Sequence, residues 1–146
     1  MLKIVFFIPF LLFAQIENQV RDDNPSLFRN QRIYHAPPKP LFKGRSHNLD
    51  FITNIPKDSV ESAIIFFKTD SVKYYQEYAL KGVHGLYRFK YDPKLFPGSY
   101  LQYYFVIKSG NTIYGSPLDS TGAIFPINKL LIDPVQHFKQ KARLNQ

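Results

Sequence analysis

The chain has no cysteine, no tryptophan and a single methionine, at position 1. Without cysteine it can build no disulfide framework, no thiol nucleophile and no thiolate metal site. Export remains open, because many exported proteins carry no disulfides. Acidic residues are scarce, 11 against 19 Lys and Arg. No apolar run reaches the ~20 residues of a membrane-spanning helix. Between residues 31 and 127 no long apolar pattern of helical period appears, which argues against alternating strands and helices. Catalytic signatures are missing too. There is no Gly-x-Ser-x-Gly elbow, no phosphate-cradling glycine loop and no His-Glu-x-x-His pair. His35, His47, His84 and His137 are far apart and show no ligand spacing. Asp22-Asp23-Asn24 lacks the further spaced ligands and the bend glycine of a calcium loop, and reads as a solvated turn. Neither metal nor cofactor is expected, and the chain is expected not to be an enzyme.

What remains is aromatic and apolar. Hydrophobic residues make up 45% of the 146 positions, enough for the core of one domain. Tyr and Phe supply all of the 16% aromatic content, and both favour strands.

The first residues read as a leader. Lys3 precedes the uncharged run Ile4–Phe13, and Ala14 follows. That is the order of a secretory signal peptide, expected over 1–14. The Phe-Ala-Gln ending resembles the leaders of bacterial exported proteins, so the expected location is the periplasm, cell envelope or exterior. Residues 15–30 are polar, broken by Asn24-Pro25, and read as a flexible segment. Once Lys3 goes, the net charge of +8 becomes +7. Residues 15–45 and 127–146 carry +3 each, whereas 46–126 carry +1. A nucleic-acid binder would hold its basic face on the fold itself, so no nucleic-acid partner is expected.

Short strands then recur with turn signals about every ten residues. Ile33–His35 reads as an edge strand running into Pro37, Pro38 and Pro40, which discourage further pairing. Leu49, Phe51 and Thr53 alternate with Asp50 and Ile52. Ala63–Phe67 is continuously apolar and reads as a central strand. Tyr74–Leu80 has strand composition, although Gln76, Glu77, Ala79 and Leu80 would also suit a short helix. Tyr87, Phe89 and Tyr91 share one face and Arg88 and Lys90 the other. The hairpin that follows organises the whole: a strand over Tyr100–Ile107, a turn at Ser109-Gly110-Asn111 and a return over Thr112–Tyr114. Leu101, Tyr103, Phe105 and Ile107 form its core face, and Tyr100, Gln102, Tyr104 and Val106 its mixed face. At the C-terminus Asp133 suits a helix cap and Pro134 a first helical position, predicting a helix over about 134–144. Docking onto the sandwich through Val135 and Phe138 is the expectation, and lying on a membrane interface the alternative.

Gly85-Leu86-Tyr87-Arg88-Phe89, Gly98-Ser99-Tyr100, Tyr103-Tyr104-Phe105-Val106 and Gly110-Asn111 resemble the last three strands of immunoglobulin-like or fibronectin-type-III-like domains of exported bacterial proteins. The resemblance covers about 31–127 and implies an all-β antiparallel immunoglobulin-like sandwich, with 128–146 as a basic helical appendage. It also implies a tyrosine at a corner, tying the loop to the backbone, with Tyr100 as the candidate. The expected function is a non-catalytic module for protein interaction or envelope assembly. The alternative is a carbohydrate-binding module that stacks sugars on exposed tyrosines. The candidate surface is Tyr78, Tyr100, Tyr104 and Asn111; the partner is an unidentified protein or a polysaccharide.

Overall fold

Alternating side chains settle which way each strand faces, and the computed structural model, which describes residues 32–145, follows that alternation closely. The expected signal peptide and flexible leader lie outside the described residues. Strands β1 (Ile33–His35), β2 (His47–Thr53), β6 (Leu86–Tyr91) and the very short β5 (Gly82–Val83) form the smaller sheet, in the order β1-β2-β6-β5. The larger sheet runs β4 (Gln76–Ala79), β3 (Ser62–Thr69), β7 (Tyr100–Ser109), β8 (Thr112–Ser116), with β9 (Ile127–Leu130) also on β7. All strand pairs are antiparallel. The two sheets pack as an immunoglobulin-like sandwich, and α1 (Pro134–Leu144) closes the chain.

The core lies between the sheets. Leu49 and Phe51 from β2, Tyr87, Phe89 and Tyr91 from β6, and Leu101, Tyr103, Phe105 and Ile107 from β7 are all buried in it. Rings bridge the layers: Phe51 stacks on Phe105 at 4.4 Å and Phe67 lies 5.0 Å from Phe89. The β7–β8 hairpin closes through Gly110-Asn111, with Ser109 paired to Thr112. Gly110 takes φ +58°, the left-handed region that glycine enters freely and that hairpin turns of this length require.

A second, smaller core lies on the outer face of the larger sheet. Ile64, Phe66, Tyr104, Val106 and Ile113 are buried there under Leu118 and Ile124. These two belong to segment 117–126, which leaves the sheet after β8 and returns as β9. Leu118 bridges to Ile124 across the segment. The Asp119 carboxylate holds its tip by accepting the amides of Thr121 (2.8 Å) and Ala123 (3.0 Å). The segment therefore acts as a strap, and β8 and β9 lie end to end along one edge of β7.

Several expectations need correcting. The sandwich does not end at 127: β9 pairs with Tyr100–Tyr103, and Leu131 is buried in the core. Tyr74 and Tyr75 precede β4 instead of opening it. The hydroxyl that ties the loop before β7 belongs to Tyr91, which donates to the Phe96 carbonyl at 3.2 Å. Tyr100 cannot do this job through its ring, because alternation turns it to the outer face while Leu101 goes inward. The helix begins as expected, with the Asp133 carboxylate accepting the Val135 amide at 2.8 Å. Its docking is slighter than expected: Phe138 does meet the domain, 5.8 Å from Phe42, but Val135 and Phe138 stay largely exposed and none of its residues is buried.

One half-buried polar group at the margin of the core gives the fold a pH signature. His35 Nδ1 lies 2.6 Å from the Asp50 carbonyl, which can only accept, so that nitrogen carries the proton. Nε2 then accepts from the Tyr103 hydroxyl at 2.9 Å, an arrangement available only to neutral imidazole. Burial pushes the His35 pKa below its ordinary value of 6.5, against the opposing pull of the Asp50 carbonyl and carboxylate. The unfolded chain thus takes up a proton more readily than the folded one. Stability should fall as the pH drops through about 6.5 toward the lower folded value. His35→Gln should flatten urea midpoints across that window. The carboxylates of Asp50, Asp70 and Asp119, held low by their hydrogen bonds, act only at more acidic pH.

Candidate functional site

The strap covers only part of the outer face of the larger sheet. Beyond it β7 carries Tyr100 and Gln102 outward, and β9 sets Leu130 and Asn128 directly opposite them. Tyr100 is 40% exposed and Leu130 68%. The turn that feeds β7 is pinned by Asp70, whose carboxylate accepts the amides of Ser99 (2.6 Å) and Tyr100 (3.2 Å). Those two bonds, Ser99 first, hold the Asp70 carboxyl below the usual carboxylate range. The start of β7 is therefore fixed by a charge-assisted bond from the loop after β3.

Next to Tyr100 stands Tyr75. Its ring packs edge-on against Tyr104 at 5.1 Å, and the Lys68 ammonium sits 4.9 Å above it. Burial, with a smaller contribution from neighbouring Tyr100, pushes the Tyr75 phenol up to about 12. It therefore stays a neutral donor at ordinary pH. Tyr74, 67% exposed, lies in the same loop, with Lys73 at 5.3 Å from its ring centre. The result is a patch of Tyr75 and Tyr100 with Lys68, bordered by the amides of Gln102 and Asn128.

The four residues expected to form one surface do not. Tyr104 is 5% exposed: it stacks on Phe66 at 4.7 Å beneath the strap and offers no free ring. Tyr78 shares the register of inward-facing Ile65 and packs on Phe89 (5.2 Å) and Phe96 (5.6 Å), its hydroxyl donating to Gln76 at 2.7 Å. Tyr100 and Asn111 are both exposed but lie at opposite ends of β7, roughly 30 Å apart at the strand rise. Tyr100 is thus the one expected residue in the patch. Tyr75 and Lys68 join it from outside that set, while Gln102 was legible as its neighbour on the mixed face.

A separate cleft of about 410 Å³ opens between the sheets at the β3–β5 side, walled by Val60, Ala63, Leu80, Val83 and Tyr87. Lys57, Glu61 and Lys81 also line it, and Glu61 pairs with Lys108 at 3.2 Å. No histidine lines this cleft.

No protein-family model matches the chain, and no curated protein matches it. Among solved structures, an endo-β-1,4-mannanase from Thermotoga petrophila is similar with a TM-score of 0.49 and 10% identity, over 84% of this chain. The aligned part is 23% of the mannanase chain, so this chain spans about a quarter of that enzyme. At that identity and TM-score neither activity nor substrate transfers.

No three His, Asp or Glu side chains among the described residues are gathered as metal ligands. Each histidine has its own place: His35 half-buried against Phe51 and Tyr103, His47 accepting the Phe42 amide at 3.0 Å, His84 at a turn with φ 51°, and His137 against Phe42. Among the described residues no helix is long and apolar enough to cross a membrane. Aromatic faces, amides and ammonium groups can stack, donate and accept.

Proposed function

We propose that the chain is an exported, non-catalytic interaction module of the immunoglobulin-like kind, serving protein contact or envelope assembly. Its contact surface is the open patch around Tyr75 and Tyr100. The observation that supports this reading is the combination of exposed rings with a buried backing: Tyr75 rests on Tyr104, which rests on Phe66. Rings fixed from behind lose little freedom on binding, which is what an anchor residue requires. Export rests on the order of Lys3, the Ile4–Phe13 run and Ala14.

A second reading draws on Gln102 and Asn128. Amides beside an exposed tyrosine are the groups that hold a sugar, by hydrogen bonds at its hydroxyls and stacking on its ring face. The two readings separate experimentally. A photocrosslinker in place of Tyr100 should capture one envelope protein in the native cell, and the same probe at Tyr34, on the smaller sheet, should not. A glycan-array signal that disappears in Tyr100→Ala selects the carbohydrate reading instead. Tyr100→Ala itself should alter stability by less than about 1 kcal/mol, since a half-exposed ring leaves little cavity. Absence of both capture and glycan binding would remove the patch as a site. Hydrolysis of a polysaccharide by the pure protein would sink the non-catalytic claim.

A further inference from the structure

An amphipathic helix on a globular domain ordinarily turns its apolar stripe toward the core. Helix α1 leaves most of its stripe in solvent. At helical spacing Val135, Phe138 and Ala142 fall on one stripe, with Lys139 on one side of it and Lys141 on the other. Val135 is 59% exposed and Phe138 53%. The helix is held at Phe42 alone among the described rings: half-buried His137 packs edge-on against it at 5.5 Å and one side of Phe138 lies 5.8 Å from it, which leaves the rest of the stripe open. Phe42 is itself fixed where its loop bonds to the chain just before the helix, through the Lys43 amide to the Ile132 carbonyl at 2.9 Å.

We propose that this helix rests the domain on an anionic lipid surface. The charge around the stripe is complementary to such a surface. Lys139, Lys141 and Arg143 lie on the helix, and Arg45, stacked over Phe42 at 5.1 Å, stands in the adjoining loop with Lys43. The acidic neighbours are Asp133, engaged as the helix cap, and Asp70, near enough to Lys43 to feel its charge. Cations alone would suit any polyanion. The stripe between two lysines favours lipid over a hydrophilic polyanion, because an apolar ring and a valine gain nothing from such a chain and do gain from an acyl boundary, while lysine stems reach back to the headgroups. With so few apolar anchors the attachment is reversible and leans on charge. This inference is independent of the tyrosine patch.

The chain contains no tryptophan, so Phe138→Trp in the full chain reports on the helix alone, whatever residues 1–14 do. Vesicles of phosphatidylglycerol mixed with phosphatidylcholine should shift its emission to the blue and expose it to quenching by brominated lipid. Added salt should reverse the shift, and pure phosphatidylcholine should give none. Adding Lys139→Glu and Lys141→Glu to the same chain should weaken apparent affinity about tenfold or more. An unshifted emission with the anionic vesicles overturns the proposal. So does an equal shift with neutral ones, or an affinity indifferent to the two charge reversals.

Discussion

Phe67→Ala should cost about 3–5 kcal/mol, the usual range for emptying a buried aromatic site. Phe67 is fully buried, and its ring lies 5.0 Å from Phe89, 5.2 Å from Phe96, 6.0 Å from Tyr91 and 6.5 Å from Tyr103. It therefore joins β3 to β6 and to the loop before β7 in one contact. Its neighbours are flat rings fixed by their own strands, and Tyr91 is further tied by its bond to Phe96. Such walls collapse poorly, so the cavity term stays large. A domain of this size holds about 5–15 kcal/mol in all, so the variant should lose a large share of it. Urea melts should show the midpoint fall with the slope unchanged. Phe125→Ala, at a ring 65% exposed, should stay within about 0.5 kcal/mol. Equal midpoints for the two variants would mean that the inter-sheet rings do not hold the sandwich together.

The inner layer was legible because strand alternation is a local property. Leu49-Phe51-Thr53, Tyr87-Phe89-Tyr91 and Leu101-Tyr103-Phe105-Ile107 each point inward as their spacing requires. The start of the helix was legible for a similar reason, since Asp133 and Pro134 act on the next turn alone. The outer layer was not. Tyr100 and Tyr104 have the same parity on the same strand, yet one is 40% exposed and the other 5%. What separates them is the strap, whose Leu118 and Ile124 reach Tyr104 and leave Tyr100 open. No periodicity within β7 records where a loop more than a dozen residues away will lie. β9 escaped for a related reason: Ile127–Leu130 is short and half-polar, and its place depends on β8 leaving part of the β7 edge unpaired. The helix docking followed the same pattern. Val135 and Phe138 mark an apolar stripe, but how far it meets the domain is decided by Phe42, which takes His137 and one side of Phe138 and leaves Val135 out.

Tyr104→Ala, for the same reason, should behave as a core mutation, at about 3–5 kcal/mol. Its ring is sandwiched between Phe66 at 4.7 Å and Tyr75 at 5.1 Å, with Leu118 and Ile124 packed on the cluster. Removing it leaves the strap without its largest support and Tyr75 without its backing. Two consequences follow together: the urea midpoint falls, and any ligand held by the patch is lost along with the order of Tyr75. Loss of binding in this variant therefore says nothing about contact by Tyr104. Tyr100→Ala provides the clean comparison, because it removes a surface ring from the same face and leaves the second core in place. Hydrogen exchange distinguishes the two. Tyr104→Ala should speed exchange at the Ala123 and Phe125 amides, which are bonded to Asp119 and Pro117, while Tyr100→Ala should leave them protected. If instead Tyr104→Ala melts with the unaltered chain and keeps those amides slow, the strap does not depend on this ring and the second core is not a packing unit.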